Sequence, residues 1–151
     1  MLQHNGFAVG LMLMMTGLWA VADSTVVVRD AWVREAPPGA AVLAAYFTLE
    51  NPGSKAEKLV AVSCPDFNKV EIHATEIRDG VARMRALTAL SIPPHAEVKL
   101  APGGYHLMLL QPQRALVAGM NVKLQLRFES GTRLTVIAPV RRAESGATPH
   151  H

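Results

Sequence analysis

Residues 69–87, KVEIHATEIRDGVARMRAL, contain the clearest local structure signal in the chain. Two segments of alternating character, 69–77 and 81–87, flank the dipeptide Asp79-Gly80. Asp-Gly between such segments is typical of a two-residue type I′ turn, because both central residues of that turn adopt a positive φ. This stretch therefore predicts a β-hairpin and favours a fold built from strands.

The turn also determines which residues of the hairpin face one another. A type I′ turn places Arg78 opposite Val81, and counting back then pairs Thr75 with Met84. His73 lies two residues from Thr75 and shares its face, so His73 and Met84 become diagonal neighbours, about 7–8 Å apart at the backbone. A slip of one residue would move Met84 to the other face, so this prediction depends on the turn.

The rest of the chain repeats the pattern of short apolar segments separated by turn residues. The candidate strands outside the hairpin are 25–28, 31–34, 40–50, 58–63, 97–100, 105–110, 121–129 and 132–140. Segment 40–50 fits a helix or a strand by apolar content, but Tyr-Phe-Thr followed by Asn-Pro-Gly favours a strand that ends in a turn. Short strands at this turn-punctuated spacing, without a convincing helix, predict an all-β domain, either a β-sandwich or a small Greek-key barrel.

Length and composition limit the class of protein. The chain has 151 residues, which favours one domain, and half of them are hydrophobic, which is enough for a core. The formal net charge is +3, and the charged residues are interspersed without a basic run. A nucleic-acid-binding surface is therefore not expected.

The first 22 residues have the pattern of a signal peptide. Residues 7–22 carry no charge, and this run is shorter than the roughly 20 residues of a membrane span. Ala20-Val21-Ala22 fits a signal-peptidase site, which predicts cleavage after Ala22, export to the periplasm and no stable membrane insertion afterwards. Residues 1–6 lack Lys and Arg, so an uncleaved anchor or a misassigned start codon remains an alternative. We expect the folded domain at 23–140.

Four residues form a candidate metal-ligand set: His73, Met84, His106 and Met108. His106 and Met108 are two positions apart on one predicted strand and therefore share a face. Two imidazole nitrogens and two thioether sulfurs make a soft, neutral set that suits Cu(I), so we predict one Cu(I) per chain. Such ligands also suit an oxidising compartment, where thiolates are readily lost to disulfides and oxidation.

The other candidate residues are assigned structural roles. The single cysteine, Cys64, is predicted to be a packed side chain, because a blue-copper site would need its Cys beside the His and Met ligands. Trp32, Tyr46 and Phe47 are predicted to be core aromatics. Met120 has no second candidate ligand at a suitable spacing, so it is not included in the predicted metal-ligand set. His95 lies in a Pro-rich turn and is predicted to be exposed.

The spacing H-x10-M-x21-H-x-M resembles the signature of the periplasmic PCu(A)C family of copper chaperones. Further similar segments are DAWVREAPPG at 30–39, AAYFTLEN at 44–51, GVARMR at 80–85 and PGGYHLML at 102–109. The resemblance extends over residues 26–140. One position departs from the pattern, because the residue after the first His is often Met in the family and is Ala74 here.

The resemblance implies a cupredoxin-like β-sandwich that binds Cu(I) near its surface and delivers it to the binuclear copper centre of cytochrome c oxidase. The implied partners are the copper-bearing subunit of the oxidase and a Sco-type protein with a thioredoxin fold. We expect a monomer. Some family members have His- or Met-rich C-terminal extensions, so the polar tail 141–151 could bind a weak second Cu(II) through His150 and His151; a solvated end is the alternative.

Three functions therefore remain open at the level of sequence. The first is a metallochaperone, the second is a periplasmic copper buffer or resistance protein, and the third is a secreted β-sandwich interaction module without a metal. Enzymatic turnover is not expected, because Glu71 and Glu76 have no partner that would make either of them a catalytic acid or base.

Overall fold

The computed structural model describes residues 26–143, which form ten β-strands and no helix. In chain order these are β1 Val27–Arg34, β2 Val42–Asn51, β3 Glu57–Ser63, β4 Phe67–Arg78, β5 Val81–Leu87, β6 Leu90–Ile92, β7 Ala96–Lys99, β8 Tyr105–Pro112, β9 Asn121–Phe128 and β10 Arg133–Arg141. The all-β prediction is confirmed. Across these residues, no helix is long and apolar enough to cross a bilayer. The predicted signal peptide and His150 and His151 lie outside the described residues.

Most strand ends differ from the predicted ones by one or two residues, and two strands, β1 and β6, differ from the prediction in more than their ends. The segments predicted at 25–28 and 31–34 are one strand, β1, whose pairing with β2 shifts register between Arg29 and Trp32. Asp30, inside this irregularity, has a φ of 54°. The three-residue strand β6 was not predicted, because three residues are too few to show an alternation.

The strands follow one continuous order, β5-β4-β8-β2-β1-β10-β9-β3-β6, and β7 pairs with β2 beside this path. The parallel pairing of β1 with β10 joins the two halves, with Val33 opposite Val140. The other pairs are antiparallel. The order makes β4 a neighbour of both β5 and β8, although β8 follows much later in the chain.

Side chains from both halves of this strand order meet in one hydrophobic core. The fully buried large side chains include Phe47, Leu49, Leu107 and Leu109 from β2 and β8, and Leu59, Ile92, Leu124, Leu126 and Phe128 from β3, β6 and β9. Cys64 belongs to the same cluster, and its burial raises the pKa of the thiol. The predictions of a packed Cys64 and a core Phe47 are confirmed.

The β4–β5 hairpin has the predicted turn and register. Asp79 and Gly80 both have positive φ, 51° and 75°, as a type I′ turn requires. Arg78 pairs with Val81 and Thr75 pairs with Met84. The prediction that Met84 and His73 lie on the same face of the hairpin is therefore confirmed.

Asn51 is a buried polar residue that ties β2 to β6. It is 1% exposed, and its Nδ2 donates to the carbonyl oxygens of Lys55 (2.7 Å) and Ile92 (3.1 Å). Its Oδ1 accepts a hydrogen bond from the Gly53 amide at 3.0 Å. The side chain thus satisfies two backbone groups in the turn after β2 and one in β6.

We expect Asn51→Ala to lower the free energy of unfolding by about 2–4 kcal/mol, because it leaves buried backbone groups without partners. Urea denaturation of the metal-free protein measures this loss. The matched control is Asn68→Ala, since the exposed Asn68 bonds only the Gln111 side chain, and it should change stability by no more than about 0.5 kcal/mol. Equal stability of the two variants would contradict the role assigned to Asn51.

Candidate metal centre

The four candidate ligands lie on three adjacent strands. Met84 is on the edge strand β5, His73 is on β4, and His106 and Met108 are on β8. His73 pairs directly with His106, and their ring centroids are 5.8 Å apart with the planes tilted by 38°. Met84 and Met108 share the face of these two rings by strand alternation. The structure therefore brings the four residues to one region of one sheet face.

This region lies on the face turned away from the core, which we call the outer face. Ile72 and Leu107, which alternate with His73 and His106, belong to the core cluster and therefore point the other way. The outer face comprises the alternate residues of β5, β4, β8 and β2 that share the side of Met84. The side chains that would bind a metal are consequently separate from those that hold the fold together.

Burial changes across the site from one strand to the next. His106 is 6% exposed and the His73 side chain is 12% exposed, whereas Met84 is 65% exposed. Met108 is half-buried. The imidazoles thus lie deep in the site, and the thioether on the edge strand lies at the surface.

An open pocket of about 320 Å³ adjoins the ligands. Its walls include Met84, His106 and Met108, together with Tyr46 and residues 34–37 at the end of β1 and the start of the connection to β2. His73 does not line this pocket and lies beside it, against the ring of His106. Three of the four candidate ligands therefore share a solvent-accessible space that could admit a partner.

Tyr46 is a site residue that the sequence analysis assigned to the core. It is buried as expected, but Trp32 opposite it in β1 and its own alternation with Phe47 place it on the outer face. Its ring centroid is 4.9 Å from that of Trp32. Two adjacent aromatic residues must point to opposite faces of a strand, and the sequence does not show which of them faces the core.

The two imidazoles are hydrogen-bonded through different nitrogens. His73 Nε2 lies 2.8 Å from Glu71 Oε2, and His106 Nδ1 lies 3.1 Å from the carbonyl oxygen of Gly104. Within residues 26–143, His73 Nδ1 is the buried side-chain polar atom that has no hydrogen-bond partner. In each ring, therefore, one nitrogen is within hydrogen-bonding distance of an oxygen atom, and the other nitrogen makes no such contact.

The sequence analysis assigned Glu71 no role at the site, and the structure places it in contact with His73. Lys69 Nζ lies 2.6 Å from the other carboxylate oxygen of Glu71. The pKa of Glu71 is lowered, first by its hydrogen bond with Lys69 and then by that with His73. Residues 69, 71 and 73 share a face by alternation, and this spacing is the sequence signal that could have identified the contact.

Harder ligands do not form an alternative centre in the described part of the chain. There, no three His, Cys, Asp or Glu side chains are grouped closely enough to hold a metal ion. Met120 packs against the core, and His95 is exposed in its turn. A metal centre in the described part of the chain would consequently need methionine sulfur as well as imidazole nitrogen among its ligands.

Comparison with known proteins identifies the family. Residues 26–140 match the LpqE-like family model, and this family is described as one of lipoproteins. The solution structure of the Cu(I) form of DR1885 from Deinococcus radiodurans matches with a TM-score of 0.62 and 29% identity, over 83% of this chain and 83% of that one. This chain belongs to the LpqE-like family of PCuAC proteins. The resemblance noted in its sequence is confirmed.

A further relative supports the membership of this PCuAC protein, and a further structure supports its fold. Protein Lxx21020 of Leifsonia xyli subsp. xyli is 32% identical over 115 residues, which are 76% of this chain and 68% of that protein. The copper-bound PCuAC domain from PmoF2 has a TM-score of 0.68 at 24% identity and covers 81% of this chain and 97% of that one. The cupredoxin-like, single-domain β fold expected for the family is confirmed.

Proposed function

We propose that this PCuAC protein is a periplasmic metallochaperone that binds one Cu(I) through His73, Met84, His106 and Met108. The observation that supports the proposal is the strand register, which puts these four residues on the outer face of three adjacent strands. Related PCuAC structures support it, because DR1885 was solved in a Cu(I) form and the PmoF2 domain in a copper-bound form.

The chemistry of the donors fits a soft monovalent ion. Buried polar atoms in proteins are nearly always hydrogen-bonded, and an unsatisfied one lowers stability. His73 Nδ1 is such an atom, and a lone pair directed at a metal ion would account for it. With two thioethers completing the set, Cu(I) fits better than Zn(II), which binds nitrogen, oxygen and thiolate ligands.

The burial of the ligands fits transfer of the ion to a partner. The two deep histidines can retain the ion while the exposed Met84 is displaced by an incoming ligand. None of the four ligands carries a negative charge, so the ion is held without the additional Coulomb attraction of a carboxylate or thiolate. We expect no enzymatic turnover from this arrangement.

The destination that we propose is the binuclear copper centre of cytochrome c oxidase, reached through its copper-bearing subunit and a Sco-type partner. This step rests on the family resemblance. The lipoprotein description of the family supports an exported protein, as does the signal peptide predicted at residues 1–22.

Titration with Cu(I) under reducing conditions tests the metal site. We expect one equivalent to bind the native chain and binding to be sharply weaker in Met108→Ala and in His106→Ala, since each variant lacks a ligand. His95→Asn is the matched control, because it removes an exposed histidine from the turn before β7 that does not line the pocket, and this variant should bind Cu(I) as the native chain does. Unchanged binding in both ligand variants would leave a β-sandwich module without this metal site.

A deletion strain separates delivery from storage. Under copper limitation, we expect loss of cytochrome c oxidase activity that is restored by the native gene and not by the Met108→Ala gene. Copper sensitivity with normal oxidase activity would instead identify a periplasmic copper buffer.

A further inference from the structure

We propose that Glu71 is a positioning residue of the copper site, which holds His73 so that Nδ1 rather than Nε2 is offered to the ion. The inference rests on the proposed function. It concerns a carboxylate that would not itself touch the metal and that acts through the hydrogen bond with His73.

The hydrogen bond determines where the proton of His73 resides. A carboxylate can only accept, so the 2.8 Å contact with Glu71 Oε2 requires Nε2 to carry the proton and donate it. In the neutral ring Nδ1 then has the free lone pair, and Nδ1 is the buried atom without a partner. Metal-binding histidines commonly donate their other N–H to a carboxylate, which fixes both tautomer and ring orientation.

Glu71 is itself held from its second oxygen. Lys69 Nζ approaches Oε1 at 2.6 Å, so both carboxylate oxygens are engaged along one face of β4. The Glu71 side chain is also less exposed than that of Lys69. The carboxylate can therefore orient His73 while its charge is balanced by the ammonium group of Lys69.

His106 is oriented in the opposite sense. Its Nδ1 lies 3.1 Å from the Gly104 carbonyl oxygen, which can only accept, so Nδ1 carries the proton and Nε2 has the lone pair. The two rings, tilted by 38° on directly paired residues, would thus bind the ion through different nitrogens. This asymmetry distinguishes the proposal from a symmetric site in which both rings use the same atom.

Long-range ¹H–¹⁵N spectra of the imidazoles test the proposal directly, because Cu(I) is diamagnetic. In the metal-free and the Cu(I)-loaded chain, we expect His73 to keep its proton on Nε2 and His106 to keep its proton on Nδ1. In Glu71→Ala, we expect the His73 Hε2 resonance to be lost to exchange with solvent and the Cu(I) affinity to fall about 10–100-fold, as for other outer partners of metal ligands.

Two further variants separate positioning from a general structural effect. Glu71→Gln keeps an acceptor oxygen and should restore most of the Hε2 signal and of the affinity. Glu76→Ala removes a carboxylate from the opposite face of the same strand, where it pairs with Arg78 and Arg85, and should change neither readout.

The proposal is overturned if metal-free His73 carries its proton on Nδ1, or if Glu71→Ala binds Cu(I) as tightly as the native chain. Failure of the proposed function appears differently, as a native chain that does not bind Cu(I). The spectrum of the metal-free chain does not depend on that result, so the two failures can be told apart.

Discussion

Replacing both thioethers together, as Met84→Leu with Met108→Leu, should weaken Cu(I) binding by roughly four orders of magnitude, if each lost ligand costs about 100-fold, the upper end of the loss seen when an outer partner of a metal ligand is removed. Leucine fills nearly the volume of methionine but provides no sulfur, and such exchanges usually cost less than about 1.5 kcal/mol of stability. Met84 is exposed and Met108 is half-buried on the outer face, so the core is not altered.

Competition with a chromophoric Cu(I) chelator measures this loss, and copper K-edge absorption reports the number of sulfur ligands that remain. Met120→Leu is the matched control, because Met120 packs against the core and should leave affinity and sulfur count unchanged. A double variant that binds within about tenfold of the native chain would show that the thioethers are not the ligands, since even outer partners are worth that much.

The second large effect should come from Phe47→Ala, which we expect to lower the free energy of unfolding by about 3–5 kcal/mol through the cavity it leaves. Phe47 is 1% exposed at the centre of β2. Because small domains are stable by only about 5–15 kcal/mol, this loss is a large share of the total. Urea denaturation of the metal-free chain, followed by circular dichroism, gives the value.

Tyr46→Leu is the informative comparison, because its side chain lies on the other face of the same strand. It should lose clearly less stability than Phe47→Ala and should alter the retention of Cu(I) against a chelator, since Tyr46 lines the pocket beside His106 and Met108. A loss below about 1 kcal/mol in Phe47→Ala, where cavity formation predicts several, would contradict the assignment of faces in β2.

The parts of the site that follow from local rules could be predicted from the sequence. The Asp79-Gly80 turn fixes the hairpin register, and strand alternation places His106 and Met108 on one face. Both depend on residues close together in the chain, so no knowledge of the strand order is required.

The parts that depend on strand order could not be predicted in the same way. The pairing of His73 with His106 follows from the adjacency of β4 and β8, and the parallel β1–β10 pair joins residues at opposite ends of the domain. The face of Tyr46 depends on which side of β2 meets the core. Nothing in the local sequence specifies these long-range choices.

The position of β5 at the end of the strand order has a consequence for how copies of the protein behave toward one another. An uncovered strand edge is a template for pairing with a second chain, and natural proteins often protect such edges with charged side chains. Arg83 lies next to Met84 on β5 and has no ion-pair partner within residues 26–143, whereas Arg85 pairs with Glu76, so edge-to-edge pairing of two copies through β5 would put two uncompensated Arg83 charges on one strand pair. If Met84 binds copper as proposed, β5 would present this ligand to an incoming partner while the charge of Arg83 opposes pairing between two copies.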